Sequence, residues 1–298
     1  MWLYLGVFSA IFLGLYDTTR KHALRENAVL PVLFFATGAG ALLVSPVAVL
    51  SPFAPDLMTR LGLYVPTIGL AEHLCLFLKA VIVAAMWLFA FFSMKHLPLS
   101  IFSPIAASSP AWTLFGAILV FGERLTPIQW VAFAVLFASF YMFSLIGSRE
   151  GIVFHTNKWI IFLFAAVLLG STSSLYDKFL IQRLGYPPLV VQVWFFIYIA
   201  PIMAAALLFF WYPRRSNGTA FDWRWSILLI GLWLTIADFA YFKSLACEGA
   251  LISLLAAVRS GGAVISFLAG ALLFGEVRII QKSVVLAGVL CGMFLLFF

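Results

Sequence analysis

Residues 107–129 read ASSPAWTLFGAILVFGERLTPIQ. The apolar run closes on Phe121-Gly122-Glu123, and the same three residues close a second run as Phe274-Gly275-Glu276. Another triplet, Leu15-Tyr16-Asp17, recurs as Leu175-Tyr176-Asp177. Asp17 to Glu123 covers 106 residues and Asp177 to Glu276 covers 99. Two triplets in the same order, at similar spacing, point to a chain built as two copies of one unit.

The composition says what surrounds those copies. Of 298 residues, 64% are hydrophobic and 10% charged, against about 25% charged in a soluble domain. Too few charges remain to solvate a surface, so the solvent is lipid. A helix crosses hydrocarbon with about 20 apolar residues. Runs of that kind lie near 2–24, 29–50, 70–94, 98–121, 126–147, 158–184, 187–212, 223–247, 249–273 and 279–298. The mixed stretch 54–69 reads as an interfacial loop, and the polar segment 149–158 (REGIVFHTNK) divides the halves. The expected fold is an all-α integral membrane protein of ten transmembrane helices, as two inverted five-helix repeats over 1–150 and 151–298. Inversion follows from parity: five spans is odd, so the second copy enters the membrane with opposite orientation, a recurring transporter design. Met1–Tyr16 has no basic n-region or cleavage site, and reads as a retained first span. Thr126-Pro127-Ile128-Gln129 carries a capping hydroxyl, a proline at the first helical position and a glutamine three residues after the cap, which starts the fifth span.

Cys75, Cys247 and Cys291 are scattered within apolar runs and read as small buried residues; no metal site, redox site or cofactor is expected. The net charge of +7 comes from single bases between apolar runs. Lipid headgroups are their partner, and nucleic acid is not.

Ala107–Gln129, a helix ending in Gly-Glu-Arg-Leu, resembles the fourth helix of EamA-type members of the drug/metabolite transporter superfamily, and Ser253–Glu276 resembles its second copy. The resemblance covers the whole chain. It departs at Val277-Arg278, which stand where the first copy has Arg-Leu, and at the basic region around Arg20–Arg25. It implies a secondary transporter of small metabolites in the bacterial inner membrane or plasma membrane, with a central cavity between the halves and both termini cytoplasmic. It also implies that the fifth and tenth helices lie outside the cavity, and it fixes no substrate.

An ionisable residue inside a span faces protein or a watery cavity. Asp17, Lys79, Asp177, Lys178, Asp238 and Arg259 qualify as substrate-binding or coupling residues. Asp17 and Asp177 could instead reach headgroup water, and Lys79 and Lys178 could snorkel. Arg259 falls near the middle of the ninth span, with Ala256, Gly262, Ala263 and Ser266 on its face. These small residues leave room for a ligand or for close helix packing around an ion pair. The first copy has Ala106 where Arg259 stands and Leu88 roughly where Asp238 stands. Tyr241 shares the face of Asp238. Asp238 is expected to be a proton-coupling acid, since a carboxylate in a partly dry site can exchange protons near neutral pH, or to pair with Arg259 or Lys79. Ser173 shares a face with Asp177, and Ser174 with Lys178, so they are expected to line a cavity unless they bond back to their own helix. Ser108-Ser109-Pro110 is expected to kink the fourth span. Glu123 and Glu276 read as carboxylates at the membrane edge beside the dipole of the next helix. Gly288 and Gly292 form a close-packing pair, serving either the bundle or a homodimer.

The function expected is secondary active transport of an amino-acid-like or drug-like solute by alternating access, with a proton or a counter-solute. The alternative is an exchanger or flippase for phosphorylated solutes such as nucleotide-sugars or lipid-linked sugars, with Lys79, Lys178 and Arg259 on the phosphate. An intramembrane enzyme is disfavoured. The Tyr-Asp pairs lack a Gly-x-Gly-Asp partner, the chain has no HExxH or Walker A motif, and its histidines are dispersed. Orientation is in conflict. Loops after odd-numbered spans hold 11 Lys/Arg and the others four, which by the positive-inside rule places the termini outside, against the family.

Overall fold

The computed structural model describes residues 1–96, 105–106, 108–147, 158–215, 219–262, 265, 287–288, 290–292 and 294–295. The second Phe-Gly-Glu triplet, Ala263, Ser266, the break at 149–157, the later part of the ninth span and most of the tenth lie outside them. The described residues form helices and no strand. These are α1 (Trp2–Leu24), α2 (Val29–Phe53), the short α3 (Pro55–Arg60), α4 (Leu70–His96), α5 (Ser109–Phe121) and α6 (Pro127–Gly147). They are followed by α7 (Lys158–Lys178), α8 (Pro188–Ala206), α9 (Ser226–Leu245) and α10 (Ile252–Ser260). A π-helical turn, Phe179–Arg183, extends α7, and another, Leu207–Trp211, extends α8.

Among the described residues, five helices are long and apolar enough to cross a membrane: Val29–Phe53, Leu70–His96, Lys158–Arg183, Pro188–Trp211 and Ser226–Leu245. Ser109–Phe121 and Pro127–Ser139 are shorter apolar helices. Their outward side chains are large and apolar, Leu42 and Phe209 each at 75% exposure, as a surface facing lipid requires. The predicted start of the fifth span is present in atomic detail. The Thr126 amide donates to Gln129 Oε1 at 3.1 Å and the Gln129 amide to Thr126 Oγ1 at 3.2 Å, two otherwise orphan donors satisfied reciprocally. Pro110 differs from expectation. It sits in the first turn of α5, where a missing amide costs no bond, so it starts that helix instead of kinking it.

With α1, α2, α4 and α5 set in order beside α7, α8, α9 and α10, the helix contacts fall in matching sets. α1 packs on α9 as α7 packs on α4, α2 on α9 as α8 on α4, and α5 on α7 as α10 on α1. The two remaining major contacts, α2 with α8 and α5 with α10, join corresponding helices to each other. Small residues allow close backbone approach at these crossings. A Cβ on Gly262, two residues past α10, would lie 2.6 Å from the Ala10 carbonyl oxygen of α1, and one on Gly231 of α9 would lie 2.8 Å from the Gly40 amide of α2. Gly292 packs the same way within the chain, where a Cβ would meet the Leu136 amide of α6 at 3.1 Å.

Candidate functional site

The antiparallel pair α1 and α9 sets the levels of the site. Ser9 Oγ donates to the Ala237 carbonyl at 2.8 Å, and Ser244 Oγ to the Trp2 carbonyl at 2.7 Å. At the other end of α1, His22 meets Ser226 Oγ at 3.3 Å. The end where α1 begins is termed the near face and the end where it finishes the far face. On this scale four ion pairs stand at successive depths.

Closest to the far face, Arg20 Nη2 meets Asp17 Oδ1 at 2.7 Å within α1, and its Nη1 lies 3.4 Å from the Tyr16 hydroxyl. Tyr16 and Phe91 each present a ring 5.0 Å from the Arg20 guanidinium carbon. About midway along α1, Arg259 Nη2 of α10 donates to Asp238 Oδ1 of α9 at 2.8 Å, and the Tyr241 ring covers the Arg259 guanidinium at 4.0 Å. Next comes Lys79 of α4 with Asp177 of α7, a pair almost wholly removed from solvent. Asp177 Oδ2 also accepts from the Tyr241 hydroxyl at 3.2 Å. Phe195 and Phe242 flank the Lys79 ammonium at 4.8 and 5.1 Å. Last, towards the near face, Lys178 Nζ meets Glu123 Oε1 at 2.5 Å.

Asp17, Asp177, Asp238, Lys79, Lys178 and Arg259 therefore all find counter-charges. Lys79 and Lys178 do not snorkel, because their carboxylates lie inside the bundle and both ammoniums are buried. A pair of this kind is costly to break, since removing one member leaves an uncompensated charge in a poorly solvated place.

Within the bundle lies a cavity of about 330 Å³. Its wall includes Arg20, Lys79, Asp177, Asp238 and Arg259, with Tyr241, Trp87, Phe195, Ser109, Ser173 and Ser174. The predicted Ser173 and Tyr241 are thus at the site. Along α7 the lining runs from Leu163 to Asp177, which at ~1.5 Å per residue is a depth of roughly 21 Å. None of the described lining residues belongs to α6. Two of the lining residues each hold an unsatisfied donor: Arg20 Nε and Arg259 Nε are buried and have no hydrogen-bond partner among the described residues, a state costing about 1–3 kcal/mol for a buried donor.

A second pocket of about 590 Å³ opens at the near face. Lys178, Gln182, Tyr186, Cys247 and Glu248 line it. Gln182 Nε2 holds its wall together by donating to the carbonyls of Leu245 at 2.8 Å and Ala250 at 3.1 Å. Asp177 faces the inner cavity and its neighbour Lys178 faces the near-face pocket. The partition between the two spaces is therefore one dipeptide and its partners, followed at once by the π-helical turn of α7. Such turns interrupt the regular ladder and concentrate at functional sites.

Glu123 is the residue whose place the sequence did not reveal. It is buried, and besides Lys178 it accepts from the Ile252 amide at 2.8 Å, the Ser253 amide at 3.3 Å and Ser253 Oγ at 2.5 Å. The helix end it serves is the start of α10, not that of α6, the next helix along the chain. Gly122, at φ 65°, terminates α5 in the left-handed region and turns Glu123 back into the bundle, a conformation only glycine adopts without strain. One signal was available. α10 has Leu251 at its cap position, which offers its first amides no side-chain acceptor, so an acceptor from elsewhere was needed. Among the described residues no group of His, Cys, Asp and Glu could hold a metal ion.

Residues 1–145 match the model of the EamA-like transporter family. A solved crystal structure aligns over 99% of this chain and 94% of its own, with a TM-score of 0.68 and 16% identity. At that identity the likeness is one of fold. No curated protein matches the sequence.

Proposed function

Residues 1–145 belong to the EamA-like transporter family, part of the drug/metabolite transporter superfamily, and from that premise we propose that the chain is a secondary active transporter moving a small metabolite by alternating access. The observation that carries this reading is the pair of spaces separated by Asp177-Lys178, one within the bundle and one open at the near face. Solute passes if the inner cavity communicates in turn with the far face, beyond Arg20, and, once the partition yields, with the near face. The exchangeable packing of α1, α2, α4 and α5 with α7, α8, α9 and α10 supports two inverted repeats of five spans each, whose two arrangements have similar energy. The near face, which carries the chain's start, is placed in the cytoplasm, as the family has it. This goes against the lysine and arginine count.

Asp238 is the coupling acid in this scheme. Its salt bridge to Arg259 keeps it charged at rest; once that bridge opens, the carboxylate stands alone in the bundle and takes a proton from far-face water, because an unpaired charge there is costly. The test is uptake of a labelled metabolite panel, amino acids and drug-like compounds included, into proteoliposomes across imposed pH gradients. The wild type should accumulate solute in response to the gradient, while Asp238→Asn should still exchange solute with its pH response flattened. Absence of accumulation for every solute would overturn the transport reading. An unchanged pH response in Asp238→Asn would overturn the coupling role.

A further inference from the structure

We infer that the inner cavity takes an amphipathic organic anion, its acidic oxyanion held by the free edges of Arg259 and Arg20 and its apolar body against the rings of Tyr241, Trp87 and Phe195. This rests on the transport reading and names the solute class that the same cavity accepts.

The charge of the wall is the first ground. Three cations line the cavity, Arg20, Lys79 and Arg259, against two carboxylates, Asp177 and Asp238. Asp17, which pairs with Arg20, is not in the lining, and its side chain is 39% exposed. The lining itself therefore carries one cation more than carboxylates, with Asp17 pairing Arg20 from outside it.

The second ground is how each cation is used. Lys79 is fully engaged by Asp177 and two rings. The two arginines are not. Each gives one Nη to a carboxylate, Arg20 giving its other to the Tyr16 hydroxyl as well; each has a ring over its face, and each keeps a buried Nε without a partner among the described residues. A guanidinium clamped by rings presents its in-plane N–H groups in a fixed fork, which suits the two oxygens of a carboxylate or phosphate monoester. Of the two carboxylates, Asp177 accepts on both oxygens, from Lys79 and Tyr241, and Asp238 accepts from Arg259 on Oδ1.

The depths give an order of events. Arg20 stands nearest the far face and receives the oxyanion first; Arg259 stands midway and receives it next, displacing Asp238. The freed Asp238 is then the carboxylate that takes the proton, so anion and proton enter together and the net charge of the cavity is kept.

The experiment measures binding of four probes of similar shape to the purified full chain: phenylacetate, phenyl phosphate, phenylacetamide and phenethylamine. At least one anion should bind at least tenfold tighter than the amide or the amine. Arg259→Gln should weaken it tenfold or more, and so should Arg259→Gln/Asp238→Asn, which removes both members of the pair and leaves no buried charge unmatched. Preference for phenylacetate identifies a carboxylate solute and preference for phenyl phosphate a phosphate monoester. Tighter binding of the amide or amine, binding of neither anion, or full anion binding in the double variant overturns the proposal. Uptake of the same labelled probes separates the two readings. Accumulation of phenethylamine without either anion sinks the anion site and leaves transport standing, whereas anion binding without accumulation of any probe does the reverse.

Discussion

A lysine and an aspartate sealed inside a helical bundle are stable only as a pair. Lys79 and Asp177 illustrate this, both almost wholly removed from solvent with Phe195 and Phe242 around the ammonium. Lys79→Met should therefore destabilise the protein by about 3–5 kcal/mol, while Lys79→Met/Asp177→Leu should recover most of that loss. Thermal unfolding of the variants in one detergent checks this; a double variant as unstable as the single would show that the pair's partners, and not its charge, hold the site. The residues themselves were legible in the sequence, because a charge within an apolar span has few uses. Their partners were not. Lys79 and Asp177 are 98 positions apart and Lys178 and Glu123 are 55 apart, distances that no local pattern encodes. Asp238 with Arg259, 21 apart on consecutive helices, was the pairing that the sequence suggested, and Asp17 with Arg20, three apart on one helix, is equally local.

At the scale of the element, helix ends were read well where capping chemistry is local, as at Thr126-Gln129, and poorly where it is borrowed, as at α10. Close packing shows the same division. Gly38 and Gly262 look alike in sequence, yet a Cβ on Gly38 meets nothing within 4 Å whereas one on Gly262 meets the Ala10 carbonyl oxygen at 2.6 Å. Gly262→Ala must part α1 from α10 and should cost about 1–3 kcal/mol. Gly38→Ala should be neutral or slightly stabilising, since alanine is the better helix former. Thermal unfolding of the two variants side by side measures the difference, and equal stability would mean that the α1–α10 contact is looser than described. The α1–α10 crossing carries Arg259 beside the cavity, so the same substitution should also lower solute affinity.

Across the whole molecule, the four ion pairs form a ladder from Arg20 at the far face to Lys178 at the near face, and the two cavities meet at Asp177-Lys178. The apolar runs made the helical membrane fold legible, but not which residues would close the path, because closure depends on how distant helices seat against each other. Cysteine labelling tests that closure most directly. Cys75, Cys247 and Cys291, all free thiols, are first replaced by alanine, and then Ser173→Cys in the inner cavity and Gln182→Cys in the near-face pocket are treated with a membrane-impermeant maleimide from each side of sealed proteoliposomes. Labelling of position 173 from one side and of position 182 from the opposite side is the predicted result, with position 173 becoming reactive from both sides when Glu123→Gln weakens the partition. If both positions label from the same side, or position 173 labels equally from either side with Glu123 intact, the dipeptide does not divide the path and alternating access through this cavity is wrong.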